Sequence, residues 1–188
     1  MGRLRKTYFV FIFMFIQSFA YAEEHAFPKE SRKSLLVGYG GNYPVADSAE
    51  DFAPSIYHPI LGIRHIGDDW VLGVSMQFKF LKDKTDDSRL ALWTLEEELY
   101  YRIRVYHPLY FLIGAKTMYL YPVRSGKYPF RRRTDLNPEV GVAATASFLY
   151  FFGDKTGVGV FADLWRGTAS RSYEGVELGM HLVFPLPL

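Results

Sequence analysis

The chain has 188 residues, with 22 basic against 20 acidic side chains, 18% aromatic residues and no cysteine. A chain without cysteine has no disulfides, no thiolate catalysis and no cysteine metal sites. The near balance of charge leaves no electrostatic footprint of a nucleic-acid binder.

The first element is a leader. Met1-Gly2-Arg3-Leu4-Arg5-Lys6 is a basic head, the run from Tyr8 to Ile16 is apolar, and Ala20-Tyr21-Ala22 is an Ala-x-Ala end. Together they predict a secretory signal peptide over 1–22, cleaved after Ala22. The run is about half the length a transmembrane helix needs. Without the leader, Arg3, Arg5 and Lys6 are gone and no acidic residue is lost, so the small basic excess belongs to the leader. Residues 23–33 are expected to form a periplasmic N-terminal segment, 34–184 a β-barrel and 185–188 a C-terminal tail.

From there period-two alternation predicts eight strands, over 35–43, 55–66, 70–82, 90–105, 109–121, 138–152, 157–166 and 174–184. In the third, Trp70, Leu72, Val74, Met76, Phe78 and Phe80 share one face, with Val71, Gly73, Ser75, Gln77 and Lys79 on the other. In the last, Val176, Leu178, Met180, Leu182 and Phe184 alternate with Glu177, Gly179, His181 and Val183. Helical periodicity does not compete. The connections Gly67-Asp68-Asp69, Tyr106-His107-Pro108 and Gly153-Asp154-Lys155 are short, and the others are longer. Short turns on one rim and long loops on the other are the asymmetry of outer-membrane barrels. The fold class expected is therefore all-β: an eight-stranded antiparallel up-and-down transmembrane β-barrel.

The polar face separates this fold from a soluble lipocalin-like barrel, which is also eight-stranded and puts its apolar face inside. Strand parity points Arg64, Lys79, Arg102, Arg104 and Lys116 inward, against Glu96, Glu98, Glu139, Asp163 and Glu177. The signs balance, as buried charge requires. Pairing the fourth and fifth strands with Val105 opposite Leu109 sets Glu98 against Lys116 and Arg104 beside Tyr110. Glycines such as Gly62, Gly73, Gly114 and Gly159 leave room for the long charged neighbours, and eight strands enclose a space that side chains fill. Large aromatics near the strand ends, among them Trp70, Phe80, Trp93, Tyr121, Tyr150 and Phe152, suit interfacial girdles.

On these residues the chain resembles the small outer-membrane barrels, the class of the OmpA membrane domain, OmpX and the lipid A enzymes PagP and PagL. The resemblance covers roughly 34 to 184. It implies an outer-membrane location, lipid and lipopolysaccharide as surroundings, and a last strand read by the barrel-assembly machinery at a terminal aromatic, here Leu178-x-Met180-x-Leu182-x-Phe184. Pro185-Leu186-Pro187-Leu188 departs from that ending.

A PagL-like site would resemble His-x-Ser, but Gly67 follows His65-Ile66 where the serine would stand. A PagP-like site would set Asp47-Ser48 or Asp87-Ser88 beside a histidine, and none is fixed near either. His25, His58, His65, His107 and His181 are scattered, without ligand spacing, and no phosphate loop is present. No catalytic residue, metal or cofactor is therefore expected.

Two features remain. The third outer loop carries Arg124, Lys127, Arg131, Arg132 and Arg133, whose forks suit lipopolysaccharide phosphates as well as plain solvation. Glu97 interrupts the lipid face of the fourth strand opposite Thr117, a polar pair that reads as a partner surface or as a local register irregularity. The function expected is non-catalytic: envelope integrity, or surface and lipopolysaccharide interaction through the loops. A lipid A acyl hydrolase or acyltransferase and a narrow pore for small solutes are the alternatives, and an oligomer stays open.

Overall fold

Alternation becomes a closed barrel in the computed structural model, which describes residues 32–84, 89–125, 138–152, 156–168 and 173–186. The barrel strands are β1 (Arg32–Pro44), β2 (Ser55–Ile66), β3 (Trp70–Asp83), β4 (Arg89–Tyr106), β5 (Leu109–Ser125), β6 (Glu139–Phe152), β7 (Thr156–Gly167) and β8 (Glu174–Pro185). Each pairs antiparallel with the next, and β8 returns to β1, pairing Ser34 with Pro185 and Pro44 with Gly175, so the sheet closes on itself. Closure gives each strand a partner on both sides, the condition for a strand to cross lipid.

Side chains divide as the alternation requires. Leu61, Ile63, Leu164, Leu178, Met180 and Leu182 point outward, Leu164 60% exposed. An outward apolar surface of this extent suits hydrocarbon rather than water. Aromatic pairs mark its two borders: Trp70 lies against Tyr101, with ring centroids 5.1 Å apart, and Phe78 against Trp93 at 4.5 Å. Trp93 and Tyr101 are eight residues apart on β4. At a typical tilt that is about 20 Å along the barrel axis, close to the roughly 25 Å apolar band of such barrels.

The register agrees with the expected pairing of β4 and β5 over most of its length, with Glu98 opposite Lys116, Glu97 opposite Thr117 and Arg104 opposite Tyr110. It departs at the turn, where Tyr106 and not Val105 stands opposite Leu109, because the ladder shifts by one residue between Arg104 and Tyr106. A second shift falls between Gly40 and Asn42 of β1, which face His58 and Ser55 of β2. The extra residue on β2 turns Ser55 to the same side as His58, as a bulge does.

The interior is layered. At the loop end Phe52, Leu81, Leu92, Leu120, Trp165 and Tyr173 form an apolar cluster. At the turn end Ile66, Val71, Tyr100, Leu112, Leu149 and Val183 form another. Polar side chains occupy the space between. Parity alone leads to a polar plug throughout, whereas near the strand ends large apolar residues stand on both faces.

The first long connection is itself structured. A short helix, α1 (Ala46–Asp51), and a two-residue strand, Phe52–Ala53, fold over the loop end of the barrel. Phe52 is buried against Tyr173, with ring centroids 6.1 Å apart. Phe52 and Ala53 extend β3 by pairing with Asp83 and Lys82.

Candidate functional site

Seven of the charged residues that parity points inward meet in one buried network: Arg64, Lys79, Lys116, Glu96, Glu98, Asp163 and Glu177. Arg64 Nε donates to Glu98 Oε2 at 2.7 Å, Nη2 to the Tyr100 hydroxyl at 3.0 Å and Nη1 to His181 Nε2 at 3.1 Å. Ser75 donates to the other Glu98 oxygen at 2.8 Å. Lys116 Nζ lies 2.6 Å from Asp163 Oδ2, 3.2 Å from Glu96 Oε2 and 3.8 Å from Glu98 Oε1. Lys79 Nζ bridges Glu96 Oε1, at 3.3 Å, and Glu177. Each cation also covers an aromatic face: Arg64 that of Tyr100, Lys79 that of Trp165 and Lys116 that of Phe161. Gly73 makes room for this, since a Cβ there would stand 2.9 Å from Glu98 Oε2 and 3.0 Å from Arg64 Cγ.

The structure places the other three elsewhere. β4 overshoots the β2–β3 turn, so Arg102 binds the turn instead, donating from Nε to the Asp68 carbonyl at 2.7 Å and stacking over Tyr110. Arg104 is exposed beyond it. Glu139 opens β6 at the loop end and accepts from the Tyr173 N–H at 3.3 Å. Parity gives the face of a residue but not its depth. The buried network therefore holds three cations and four carboxyl groups instead of five of each, among the described residues.

Of the positions raised by enzyme chemistry, Ser48 receives a structural account. Ser48 is buried, and its hydroxyl accepts from the Glu174 N–H at 3.0 Å, fastening α1 to β8. Asp87-Ser88 lies outside the described residues. An arrangement the sequence did not announce lies at the bulge, where Ser55 Oγ and His58 Nε2 are 2.8 Å apart. That is the contact of a serine and its base, yet both side chains are spent on backbone. The Phe80 N–H donates to His58 Nε2 at 3.2 Å, and Ser55 donates to the Phe80 carbonyl. The β2–β3 ladder runs from Ile66 only to Ile60, opposite Gln77, and these side chains stitch the seam beyond it. The signal for this was Pro59, which has no N–H for a ladder.

On the lipid face Glu97 and Thr117 are direct cross-strand neighbours, both half-buried. Glu97 lies midway between Trp93 and Tyr101, and so at mid-depth of the apolar band. Below Thr117, Ala115 pairs with Ala144, and Ala146 with Ala162 one strand further on. Of the basic loop, Arg124 lies in β5, opposite Leu90. Lys127, Arg131, Arg132 and Arg133 lie outside the described residues.

No family model matches the chain, and no curated protein matches it in sequence. Its backbone is similar to the crystal structure of Neisserial surface protein A (NspA), with a TM-score of 0.62 and 10% identity over 83% of this chain and 97% of that one. Weaker likenesses are to Ail, the attachment invasion locus protein of Yersinia pestis, in complex with sucrose octasulfate (TM-score 0.47, 10% identity, 83% of this chain and 97% of that one), and to the N-terminal β-barrel domain of Pseudomonas aeruginosa OprF (TM-score 0.42, 13% identity, 82% of this chain and 100% of that one). The first likeness, together with the closed register, gives the chain the fold of the small eight-stranded outer-membrane barrels.

Proposed function

We infer that the protein is exported, loses its leader after Ala22, and works in the outer membrane as a non-catalytic barrel that supports envelope integrity or presents its loops to surface partners. The observation that carries this reading is the filled lumen. A continuous ionic network crosses it, apolar layers lie above and below, and α1 with Phe52 folds over the loop end. Such an interior favours a scaffold over a conduit. The protein in planar bilayers is expected to give no resolved conductance steps, and lipid A from cells with and without it is expected to have the same mass spectrum. Discrete channel openings would support the narrow pore instead, and a shifted acyl pattern the lipid A enzyme.

The partner that suits the third loop is phosphate-bearing lipopolysaccharide. Arg131, Arg132 and Arg133, with Arg124 and Lys127, are five basic residues within ten positions of sequence, and guanidinium forks match phosphate oxygens. Changing Arg131, Arg132 and Arg133 together to glutamine is expected to weaken lipopolysaccharide binding at least tenfold and to flatten its salt dependence. Equal binding by the triple variant would leave that loop as an ordinary solvated segment. The reading also includes recognition of β8 by the barrel-assembly machinery through Phe184.

A further inference from the structure

We propose that the outer face of β4 and β5 at Glu97 and Thr117 is a self-association surface that pairs two copies of this chain within the membrane. The proposal rests on the membrane residence inferred above. Around Glu97 the outward side chains on its own strand and on β3 are apolar, Leu95 and Leu99 before and after it and Val74 beside it, and Tyr119 lies diagonally across on β5. A carboxyl at this depth is costly against lipid tails and is found where a partner can meet it. Thr117 is its neighbour on β5, so the two polar groups form one small patch.

The symmetry of insertion identifies the occupant. Two copies inserted in the same direction are related by a two-fold axis along the membrane normal, and such an interface is self-complementary. With the axis between β4 and β5, left and right exchange. Glu97 of each copy then faces the partner's Thr117, whose hydroxyl donates to the carboxylate. Strand tilt offsets the two by about 3 Å, within the reach of a glutamate side chain. The small side chains at Ala115 and Ala144 let the two walls approach, as small residues do between membrane segments. Acceptor and donor that lie on one face and meet their counterparts across the axis describe a second copy.

Sedimentation equilibrium in density-matched micelles and disulfide trapping in phosphatidylcholine vesicles test this. The natural chain is expected to dimerise, Glu97→Leu to raise the dissociation constant at least tenfold, and Glu97→Gln, which still accepts from threonine, to stay within a few-fold. Because the chain has no cysteine, Thr117→Cys, beside the axis, is expected to trap a covalent dimer on mild oxidation, while Val37→Cys, on β1, is not. A natural chain that inserts but stays monomeric at every protein-to-detergent ratio, or a Glu97→Leu variant that dimerises as tightly, overturns the interface alone. A chain that does not insert into vesicles overturns the membrane reading and the interface with it.

Discussion

Changing Lys116 to methionine is expected to cost about 3 to 5 kcal/mol of stability, the largest effect of any single charge removal in the barrel. Lys116 is the hub of the network. Its ammonium group touches Asp163, Glu96 and Glu98 and sits over the Phe161 ring. The other two cations have their own closest partners, Arg64 with Glu98 and Lys79 with Glu177 and Glu96. Removal of Lys116 therefore leaves Asp163 as a buried charge with no contacting cation among the described residues. Asp163 has no slack to absorb this, because its second oxygen, Oδ1, has no hydrogen-bond partner among the described residues. The companion variant Lys116→Met with Asp163→Leu removes both charges and is expected to recover most of the loss, since an apolar pair of similar volume substitutes for a buried ion pair at little cost. Urea titration of the protein in phospholipid vesicles, followed by tryptophan fluorescence, measures both. A single variant that unfolds at the natural midpoint would show the network to be passive filling.

The expectation for Lys116 follows from its place in space, and much of that place was legible from sequence. Alternation assigned Lys116 to the inner face and a short turn set it opposite Glu98, because side chains repeat every two residues and a tight connection fixes register. The same reasoning put Arg102 and Arg104 in the lumen, and there it failed. Their face is inward by parity, but β4 extends past the neighbouring turn, so Arg102 meets the Asp68 carbonyl and Arg104 meets solvent. Strand length relative to neighbours depends on stagger around the whole barrel, which no local pattern encodes. Asp163, the nearest partner of Lys116, lies two strands away and was on the list of inward charges without an assigned mate. Contacts across a lumen depend on closure, not on adjacent pairing. The folded first loop escaped notice for a related reason. Ala46–Asp51 is a six-residue helix with no strong sequence signal, and Phe52 is buried because Leu81, Trp165 and Tyr173 assemble a place for it. The outward position of Glu97 opposite Thr117 was readable from sequence, since an interrupted apolar face needs only parity to be seen. The alanines around Ala115 gain meaning only once register brings Ala144 beside them.

Gly114→Ala is expected to impair barrel closure, at a cost near the upper end of overpacking effects, about 3 kcal/mol. Gly114 sits in β5 opposite Tyr100 of β4, and the backbone atoms of Leu99 and Tyr100 lie where its Cβ would be. Obstruction by a flexible side chain can be relieved by a change of rotamer, but obstruction by backbone moves the strand. A displaced β4 would carry Tyr100 and Glu98 away from Arg64, whose guanidinium bonds to both, so a packing fault at one glycine would reach the ionic network. Ala162→Val is the contrasting change. It adds more volume, but Ala162 is exposed on the lipid face, and its variant is expected to match the natural chain. Gel mobility of unheated samples reports closure and urea titration reports the cost. If Gly114→Ala closes as readily as Ala162→Val, the near contact of β4 and β5 at this point is not what holds Tyr100 over the lumen.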